Sequence, residues 1–194
     1  ASGQSSSEIG YTSGGDGNLT NTIDKFPFAA DANATDVGDL TQARKEVTGQ
    51  SSDISGYSSG GEAPPGRQNI IDKFPFASDA NATDVGDLTQ ARNGPGGQSS
   101  STHGYSSGGE APPVINTIDK FSFAADGNAT DVGNLAVSLR NAAGQSSTTD
   151  GYSSGGMSGA PENRIQKFSF TTDTNASDIA DLTQGRIHAA GQQV

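Results

Sequence analysis

The sequence predicts an all-β fold built from four repeated units, and three observations support this prediction. The chain has 194 residues, of which 27 are glycine and eight are proline, and this content favours short strands joined by tight turns. Only 30% of the residues are strongly hydrophobic, so we expect a small core. The segment GQSS recurs at Gly3, Gly49, Gly97 and Gly144. Regular repetition of this kind indicates stacked structural units.

The repeats divide a single domain, residues 1–194, into four units and a short remainder. The units span residues 3–48, 49–96, 97–143 and 144–190, and residues 191–194 begin a fifth unit or close the domain. Each unit contains GQSS, then GYSSGG or a close variant, a variable segment, an I-D/Q-K-F-P/S-F stretch and a D-x-N-A-T/S-D turn. We predict one short strand in each of GQSS, GYSSGG, IDKFPFA and ATDVGDLTQ, which makes a four-stranded antiparallel sheet per unit.

The third predicted strand carries apolar residues on both faces. Asp24, Phe26 and Phe28 share one face, and Ile23 and Lys25 share the other, because side chains alternate along a strand. Apolar residues on both faces are expected where every sheet packs between two neighbours. A period near 47 residues suits a propeller blade, which takes about 40 to 50 residues. The sequence therefore predicts a small β-propeller of four blades closed into one ring.

The repeat also resembles the kelch-type β-propeller repeat. Its matching features in the second unit are Tyr57 before Gly60 and Gly61, Phe74 and Phe76, the turn from Asp79 to Thr83, and Leu88 followed by Arg92. Kelch repeats usually carry a tryptophan after the turn, where this chain has Val37, Val85, Val132 and Ile179. The repeat text is further similar to that of uncharacterised repeat proteins of marine bacteriophages. That similarity implies a virion or extracellular location.

Composition excludes two classes of partner. The formal net charge of −11 and the isoelectric point near 4.3 would repel a phosphate backbone, so we expect no nucleic-acid partner. There is no apolar stretch near 18 residues, so we expect no membrane-spanning segment. The absence of cysteine excludes disulfides and thiolate metal sites.

The segment G-Y-S-S-G fits the nucleophile-elbow pattern of serine hydrolases, with Ser58, Ser106 and Ser153 at the serine position. A nucleophile elbow needs a buried strand before the serine and a helix after it. Here the upstream residues are polar, and EAPP follows two of the copies. A catalytic site is also needed once, whereas this segment recurs in three units and, as the variant G-Y-T-S-G, in the first. We therefore predict that the chain is not an enzyme.

The D-x-N-A-T/S-D turns offer oxygen atoms at positions 1, 3, 5 and 9, the spacing at which EF-hand-like loops bind Ca²⁺. The four candidate calcium sets are Asp31, Asn33, Thr35 and Asp39; Asp79, Asn81, Thr83 and Asp87; Asp126, Asn128, Thr130 and Asn134; and Asp173, Asn175, Ser177 and Asp181. No glutamate closes these sets, and an aspartate occupies the place where such loops need glycine. The alternative is an Asx-type turn that satisfies local backbone amides. Calcium is the only cofactor that the sequence suggests.

Three further residue types recur or stand alone. Tyr11, Tyr57, Tyr105 and Tyr152 are expected in the core, with a sugar-stacking surface as the alternative. Arg44, Arg92, Arg140 and Arg186 are expected to bridge a strand end to a turn, with Asp39 and its equivalents as partners. His103 and His188 have no second ligand at a suitable spacing, so we expect them at the surface.

The function that the sequence favours is binding. The variable segments after Gly-Gly should form exposed loops on one face, where they would contact a glycan or a protein surface in a lectin-like, carbohydrate-binding role. The candidate contact residues are Arg67, Asn69, Asn116, Asn163 and Arg164. The alternative is a purely structural virion protein of a capsid or tail, whose partners are copies of itself or other virion proteins.

Overall fold

The computed structural model of this protein describes residues 1–191. It contains 18 β-strands and no helix in that range. Sixteen of the strands form four separate four-stranded antiparallel sheets, one in each repeat unit. The prediction of an all-β fold with four short strands per unit is therefore confirmed.

The four sheets share one strand order. Sheet 1 contains β1 Ser2–Ser5, β2 Ile9–Gly15, β3 Thr20–Pro27 and β4 Thr35–Asp39, in that order across the sheet. Sheet 2 contains β5 Thr48–Ser51, β6 Ser55–Ser59, β9 Ile70–Pro75 and β10 Thr83–Asp87. Sheet 3 contains β11 Gly96–Ser99, β12 His103–Ser107, β13 Thr117–Ser122 and β14 Thr130–Asn134. Sheet 4 contains β15 Ala143–Ser146, β16 Asp150–Ser154, β17 Arg164–Ser169 and β18 Ser177–Asp181.

A small hairpin was not predicted from the sequence. Strands β7 Glu62–Ala63 and β8 Gly66–Arg67 pair with each other inside the variable segment of unit 2. The fourth strand of each sheet has five residues and is shorter than predicted. In sheet 2, β10 ends at Asp87, and Leu88, Thr89 and Gln90 lie outside the strand.

The first strands of the four sheets lie side by side, with β1 beside β5, β5 beside β11 and β11 beside β15. Glycine makes this approach possible. A Cβ atom on Gly49 would lie 2.2 Å from the carbonyl oxygen of Gly3, and one on Gly97 would lie 2.4 Å from that of Gly49. The glycine of GQSS is therefore required for backbone packing at Gly49 and Gly97, since a larger residue leaves no room for the neighbouring strand.

Each hydrophobic core lies between two consecutive sheets. The core between sheets 1 and 2 contains Tyr11, Ile23, Leu40, Phe74 and Ala82, and equivalent residues form the two later cores. In every case Tyr, Ile and Leu come from the earlier sheet, and Phe and Ala come from the later one. The face assignment predicted for the third strand is thereby confirmed, because Phe74 faces the preceding sheet and Ile71 faces the following one.

The described contacts join consecutive sheets, and sheets 1 and 4 make no comparable contact within residues 1–191. Gly191 lies beside the last unit, where a Cβ atom on it would be 1.7 Å from the carbonyl oxygen of Gly144. Gly191, the glycine of the fifth GQ, thus packs against the preceding unit as the earlier GQ glycines do. Gln192 to Val194 lie outside the described residues. A ring closed by sheets 1 and 4 is not seen in this structure.

Candidate functional site

The variable segments lie along one side of the assembly of sheets, as predicted. The segments of units 2, 3 and 4 each begin beside the end of the preceding unit, where isolated bridges pair Lys45 with Glu62, Asn93 with Glu110, and Arg140 with Met157. In unit 1, Asp16 Oδ1 lies 3.8 Å from Nζ of the same Lys45. The connection that contains the segment joins the second and third strands of its sheet. The four segments therefore line up in unit order on what we call the variable face, formed by residues 16–22, 62–69, 110–117 and 157–164.

A continuous polar network braces this face. Asn93 donates from Nδ2 to Glu46 Oε2 and to Glu62 Oε2, both at 2.8 Å. Arg67 donates from Nε to Asn93 Oδ1 at 3.1 Å and from Nη2 to Glu110 Oε1 at 2.7 Å. Arg140 of unit 3 donates from Nη1 to the other oxygen of Glu110 at 2.8 Å. Three units are thus tied together at their variable segments.

The candidate contact residues hold the variable face together more than they project from it. Arg67 belongs to the network above and is half-buried. Asn116 donates from Nδ2 to the carbonyl of Leu135 at 3.2 Å, and Asn163 donates to that of Leu182 at 3.4 Å. The carbonyl of Asn69 accepts from the amide of Leu88, and Arg164 lies 3.5 Å from Asp178. The side chains of Arg67, Asn116, Asn163 and Arg164 thus have partners within the chain, and contact of the five candidate residues with a ligand stays a prediction.

The exposed tips of the variable face are rich in proline. Pro64 and Pro65 in unit 2, Pro112 and Pro113 in unit 3, and Pro161 in unit 4 are all exposed. Beside the first of these pairs lies a cavity of about 370 Å³. Its lining combines apolar Leu19, Ala63, Pro64 and Pro65 with the opposite charges of Lys45 and Glu62. Sequence reasoning missed Leu19 and Lys45, because both belong to the unit before the one that contains the hairpin.

A larger groove of about 940 Å³ runs along the four first strands. Serine, glutamine and glycine residues of these strands line it, together with Phe26 and Phe28 of sheet 1. Both phenylalanines are exposed, Phe26 to 37% and Phe28 to 56%. The equivalents of Phe26, Phe74 and Phe121, are at most 3% exposed, and those of Phe28, Phe76 and Phe123, are half-buried. The groove is therefore polar along its floor and aromatic at one end.

The oxygen atoms of the candidate calcium turns bond to neighbouring units. Asp79, Asp126 and Asp173 form ion pairs with Lys25, Lys73 and Lys120 of the preceding unit. Asn81 Oδ1 accepts the amide of Asp39, Asn128 Oδ1 that of Asp87, and Asn175 Oδ1 that of Asn134, at 3.0 to 3.1 Å. Three of the four turns thus use their first two oxygen ligands in contacts between units. Calcium binding by these turns stays a prediction.

The Asx-type turn that was the alternative is present in units 1 to 3, where it begins at the second aspartate of each segment. The side chain that bonds locally is the second aspartate, since Asp36 Oδ1 accepts the amide of Gly38 at 3.2 Å and Asp84 does the same for Gly86. The asparagine instead reaches a different sheet. Thr35, Thr83, Thr130 and Ser177 each begin the fourth strand of their sheet, which Asp39, Asp87, Asn134 and Asp181 end. In residues 1–191 no three His, Asp or Glu side chains are grouped as a metal site.

The elbow-like serines are buried between sheets. Ser58, Ser106 and Ser153 are fully buried, and Ser58 Oγ lies 2.6 Å from Ser13 Oγ. Ser106 Oγ and Ser153 Oγ have no hydrogen-bond partner within the described part of the chain. A hydroxyl in such a place is not presented to a substrate.

The recurring tyrosines lie in the core in three units. Tyr11, Tyr57 and Tyr105 are at most 3% exposed, and Tyr152 is half-buried. Burial raises the pKa of the Tyr57 phenol above its usual value. Of the two histidines, His188 is exposed, as predicted, while His103 is half-buried and its Nδ1 lies 2.8 Å from Thr102 Oγ1. Burial lowers the pKa of His103.

The recurring arginines have partners other than the predicted ones. Arg44 and Arg92 do not bond to Asp39 and Asp87. They bond to Asp72 and Asp119 of the following sheet, at 2.6 and 2.5 Å. Arg140 is one residue out of register, because Leu139 occupies the position that corresponds to Arg44 and is buried. Burial lowers the pKa of Arg44, and the charge of Asp72 opposes this shift.

Comparison with known proteins gives a similarity of fold. No family model matches the chain, and no curated protein matches it. The solved structure of YjhT is similar to 94% of this chain with a TM-score of 0.77 and 13% sequence identity. This chain spans 65% of the length of YjhT. In residues 1–191 there is no helix with the length and apolar character needed to cross a membrane. At this level of identity the likeness to YjhT concerns the fold alone.

Proposed function

We propose that this chain is a non-enzymatic recognition module whose four sheets are blades of a β-propeller arc and whose variable face binds a glycan or a protein surface. The arc is supported by the first strands, which lie side by side in unit order, and by the three hydrophobic cores, each of which lies between two consecutive sheets. On the resemblance to bacteriophage repeat proteins, the module would act on a virion or outside the cell.

The observation that carries this proposal is a difference in sequence variation between the strands of the four sheets and the variable face. The strand segments of units 1 and 2 are nearly identical in sequence, while the variable segments differ in length and character. The segments of units 2 and 3 are braced by the network around Asn93, Arg67 and Glu110. A rigid surface loses little conformational entropy on binding, which favours affinity.

The chemistry of the small cavity on this face suits a ligand with both apolar and polar groups. Binding sites for small ligands are concave and mostly apolar, with few polar groups that fix orientation. Pro64, Pro65 and Leu19 supply the apolar walls, and Lys45 and Glu62 supply a donor and an acceptor. A pyranose ring presents one apolar face and a rim of hydroxyl groups, so it matches this lining.

A glycan array screened with and without calcium tests the proposal. The variant Pro64→Ala, Pro65→Ala and Lys45→Ala removes the walls and the donor, but leaves Arg67 and Asn93 in their network. We expect this variant to lose binding and to keep the far-ultraviolet spectrum and melting temperature of the parent chain.

The matched control is Ile54→Ala, at an exposed residue of the turn between β5 and β6. This turn lies at the opposite end of sheet 2 from the variable segment, so glycan binding should be unchanged. Binding that survives the triple variant, or that is lost equally with Ile54→Ala, would contradict the assignment to the variable face. No glycan bound by the parent chain, together with self-association, would favour the structural virion role.

A further inference from the structure

The three interfaces between consecutive sheets share a set of equivalent contacts. Each of these contacts joins a residue of the earlier sheet to a different residue of the later sheet. We call the face that a sheet turns to the following unit its leading face, and the opposite one its trailing face. Tyr11, Tyr57 and Tyr105 of the leading faces stack on Phe76, Phe123 and Phe170 of the trailing faces, with ring centroids 4.7 to 4.9 Å apart. Four sheets in a row have three such interfaces and leave one face of each kind at the ends.

The leading face of sheet 4 is less buried than its equivalents. Tyr152, Ile165 and Leu182 are half-buried, whereas Tyr57, Ile71 and Leu88 are at most 2% exposed. Ile179, at the position of Val85, is 47% exposed. The trailing face of sheet 1 shows the matching deficit, since Phe26 and Phe28 are exposed. Sheet 4 thus carries the Tyr, Ile and Leu half of an interface core, and sheet 1 carries the Phe half.

The charged groups are divided in the same way. At the first two interfaces a leading arginine enters the following sheet and pairs with a buried aspartate, as Arg44 does with Asp72 and Arg92 with Asp119. Arg186 of unit 4 is equivalent to Arg44 and is exposed. Asp24 of unit 1 is equivalent to Asp72 and is half-buried. Lys73 and Asp126 form an ion pair between units 2 and 3. The equivalent of this lysine at the end of sheet 4 is Lys167, and the equivalent of this aspartate in unit 1 is Asp31.

Backbone groups complete the set. The amide of Asp39 donates to Asn81 Oδ1, and the amide of Ala82 donates back to the carbonyl of Asp39 at 2.8 Å. Both contacts recur at the next two interfaces. By the same equivalence, Asp181 of sheet 4 carries one half of this pair, and Asn33 and Ala34 of unit 1 carry the other.

We propose that the leading face of sheet 4 binds the trailing face of sheet 1 in a second copy of this chain. The ring of Tyr152 then stacks on Phe28 of the other copy, and Arg186 pairs with its Asp24. The contact is heterologous, so it generates a ring if the rotation between copies closes and an open filament if it does not. The evidence for a second copy as the occupant is that the two faces carry, position by position, the apolar residues, charges and backbone groups that meet at the internal interfaces.

Gly191 lies where part of the second copy would lie. Its backbone packs against Gly144 in the same way that each first strand packs against the first strand of the preceding unit. The first strand of the bound copy, which includes Gly3, would take this place. Association therefore requires that Gly191 move away from β15, because Gly191 and the second copy compete for the same place.

Charge exchange tests the proposal directly. Sedimentation velocity over a wide range of concentration should show association of the parent chain that strengthens when the chain ends at Ala190. Arg186→Asp and Asp24→Arg should each weaken association by at least about 30-fold, because a like-charged pair then faces a partly desolvated interface. An equimolar mixture of the two variants should associate again, since each variant then meets an opposite charge on the other.

Asp53→Arg is the matched control, because it makes the same charge reversal at an exposed turn of sheet 2. It should associate like the parent chain, and all variants should keep the parent melting temperature in dilute solution. The proposal is overturned if both the parent chain and the chain ending at Ala190 stay monomeric at every concentration. It is equally overturned if association persists in both single variants, or if the mixture fails to recover it.

Discussion

The guanidinium of Arg44 in unit 1 is fully buried against unit 2, where its Nη2 lies 2.6 Å from Oδ2 of Asp72, itself fully buried. Nη1 of the same arginine donates to the carbonyl of Gly60 at 2.6 Å, and Asp72 also accepts from Thr41. Arg92 and Asp119 repeat this pair. At the third interface the pair is replaced by Leu139 and Gln166, both buried. The two members of the pair have changed together.

Removal of one member should therefore cost much more than replacement of both. Asp72→Ala leaves the Arg44 guanidinium buried without its counter-charge, and we expect a loss of about 3–5 kcal/mol in the free energy of unfolding. The double variant Arg44→Leu and Asp72→Gln installs the combination that the third interface already uses. It should recover most of that loss, as measured by urea denaturation.

An exposed ion pair at a neighbouring interface provides the control for this experiment. Lys73 and Asp126 lie 2.8 Å apart, with the Asp126 side chain 56% exposed. Asp126→Ala should change the free energy of unfolding by less than about 1 kcal/mol, because water screens exposed pairs. If the double variant Arg44→Leu and Asp72→Gln is no more stable than Asp72→Ala, the Leu–Gln combination of the third interface cannot replace the Arg–Asp pair.

Comparison of the repeats with one another contained the signal for this partnership, although the sequence reasoning assigned Asp39. Where unit 3 has Leu139 in place of the arginine, the following unit has Gln166 in place of the aspartate. Strand positions and faces were predictable because alternation is a local property of one segment. Contacts between units were not, because they depend on how adjacent sheets stack. The hairpin Glu62–Arg67 was missed for a different reason, since its strands have only two residues each.

The first strands offer a matched pair of glycine substitutions. Gly49→Ala places a Cβ atom 2.2 Å from a backbone oxygen of unit 1, so the two strands must separate. We expect a loss of about 1–3 kcal/mol in the free energy of unfolding, the usual cost of overpacking. Gly3→Ala, in the same motif, meets no atom closer than 4.0 Å and should change stability by less than about 0.5 kcal/mol. Equal effects of the two substitutions in dilute solution would contradict the stacking described for the first strands.

The buried serines should be chemically inert. Ser58, Ser106 and Ser153 are fully buried, so a fluorophosphonate probe cannot reach their hydroxyl groups while the chain is folded. The intact mass after treatment should equal the untreated mass, with a known serine hydrolase labelled in parallel as the positive control. Stoichiometric labelling at any of the three positions would revive a hydrolytic function.

Equivalent phenylalanines in units 1 and 2 should differ in their contribution to stability. Phe74 and Phe26 each cover a glycine of their own sheet, because a Cβ atom on Gly56 or Gly10 would lie 2.4 Å from the ring. Phe74 also packs on Tyr11 of the preceding sheet, with ring centroids 5.5 Å apart, and is 1% exposed. Phe26 has no preceding sheet in the described chain and is 37% exposed.

Phe74→Ala should therefore cost about 3–5 kcal/mol, the usual loss when a buried phenylalanine is truncated. Phe26→Ala should cost roughly 1–2 kcal/mol, because only part of its apolar surface is removed from water. Urea denaturation at low protein concentration keeps the chains apart, so that the contact proposed between copies does not add to the second value. If the loss for Phe26→Ala then rises with protein concentration while that for Phe74→Ala stays constant, the additional burial of Phe26 comes from another copy. A loss for Phe26→Ala that equals that for Phe74→Ala even in dilute solution would mean that the trailing face of sheet 1 is already covered within one chain.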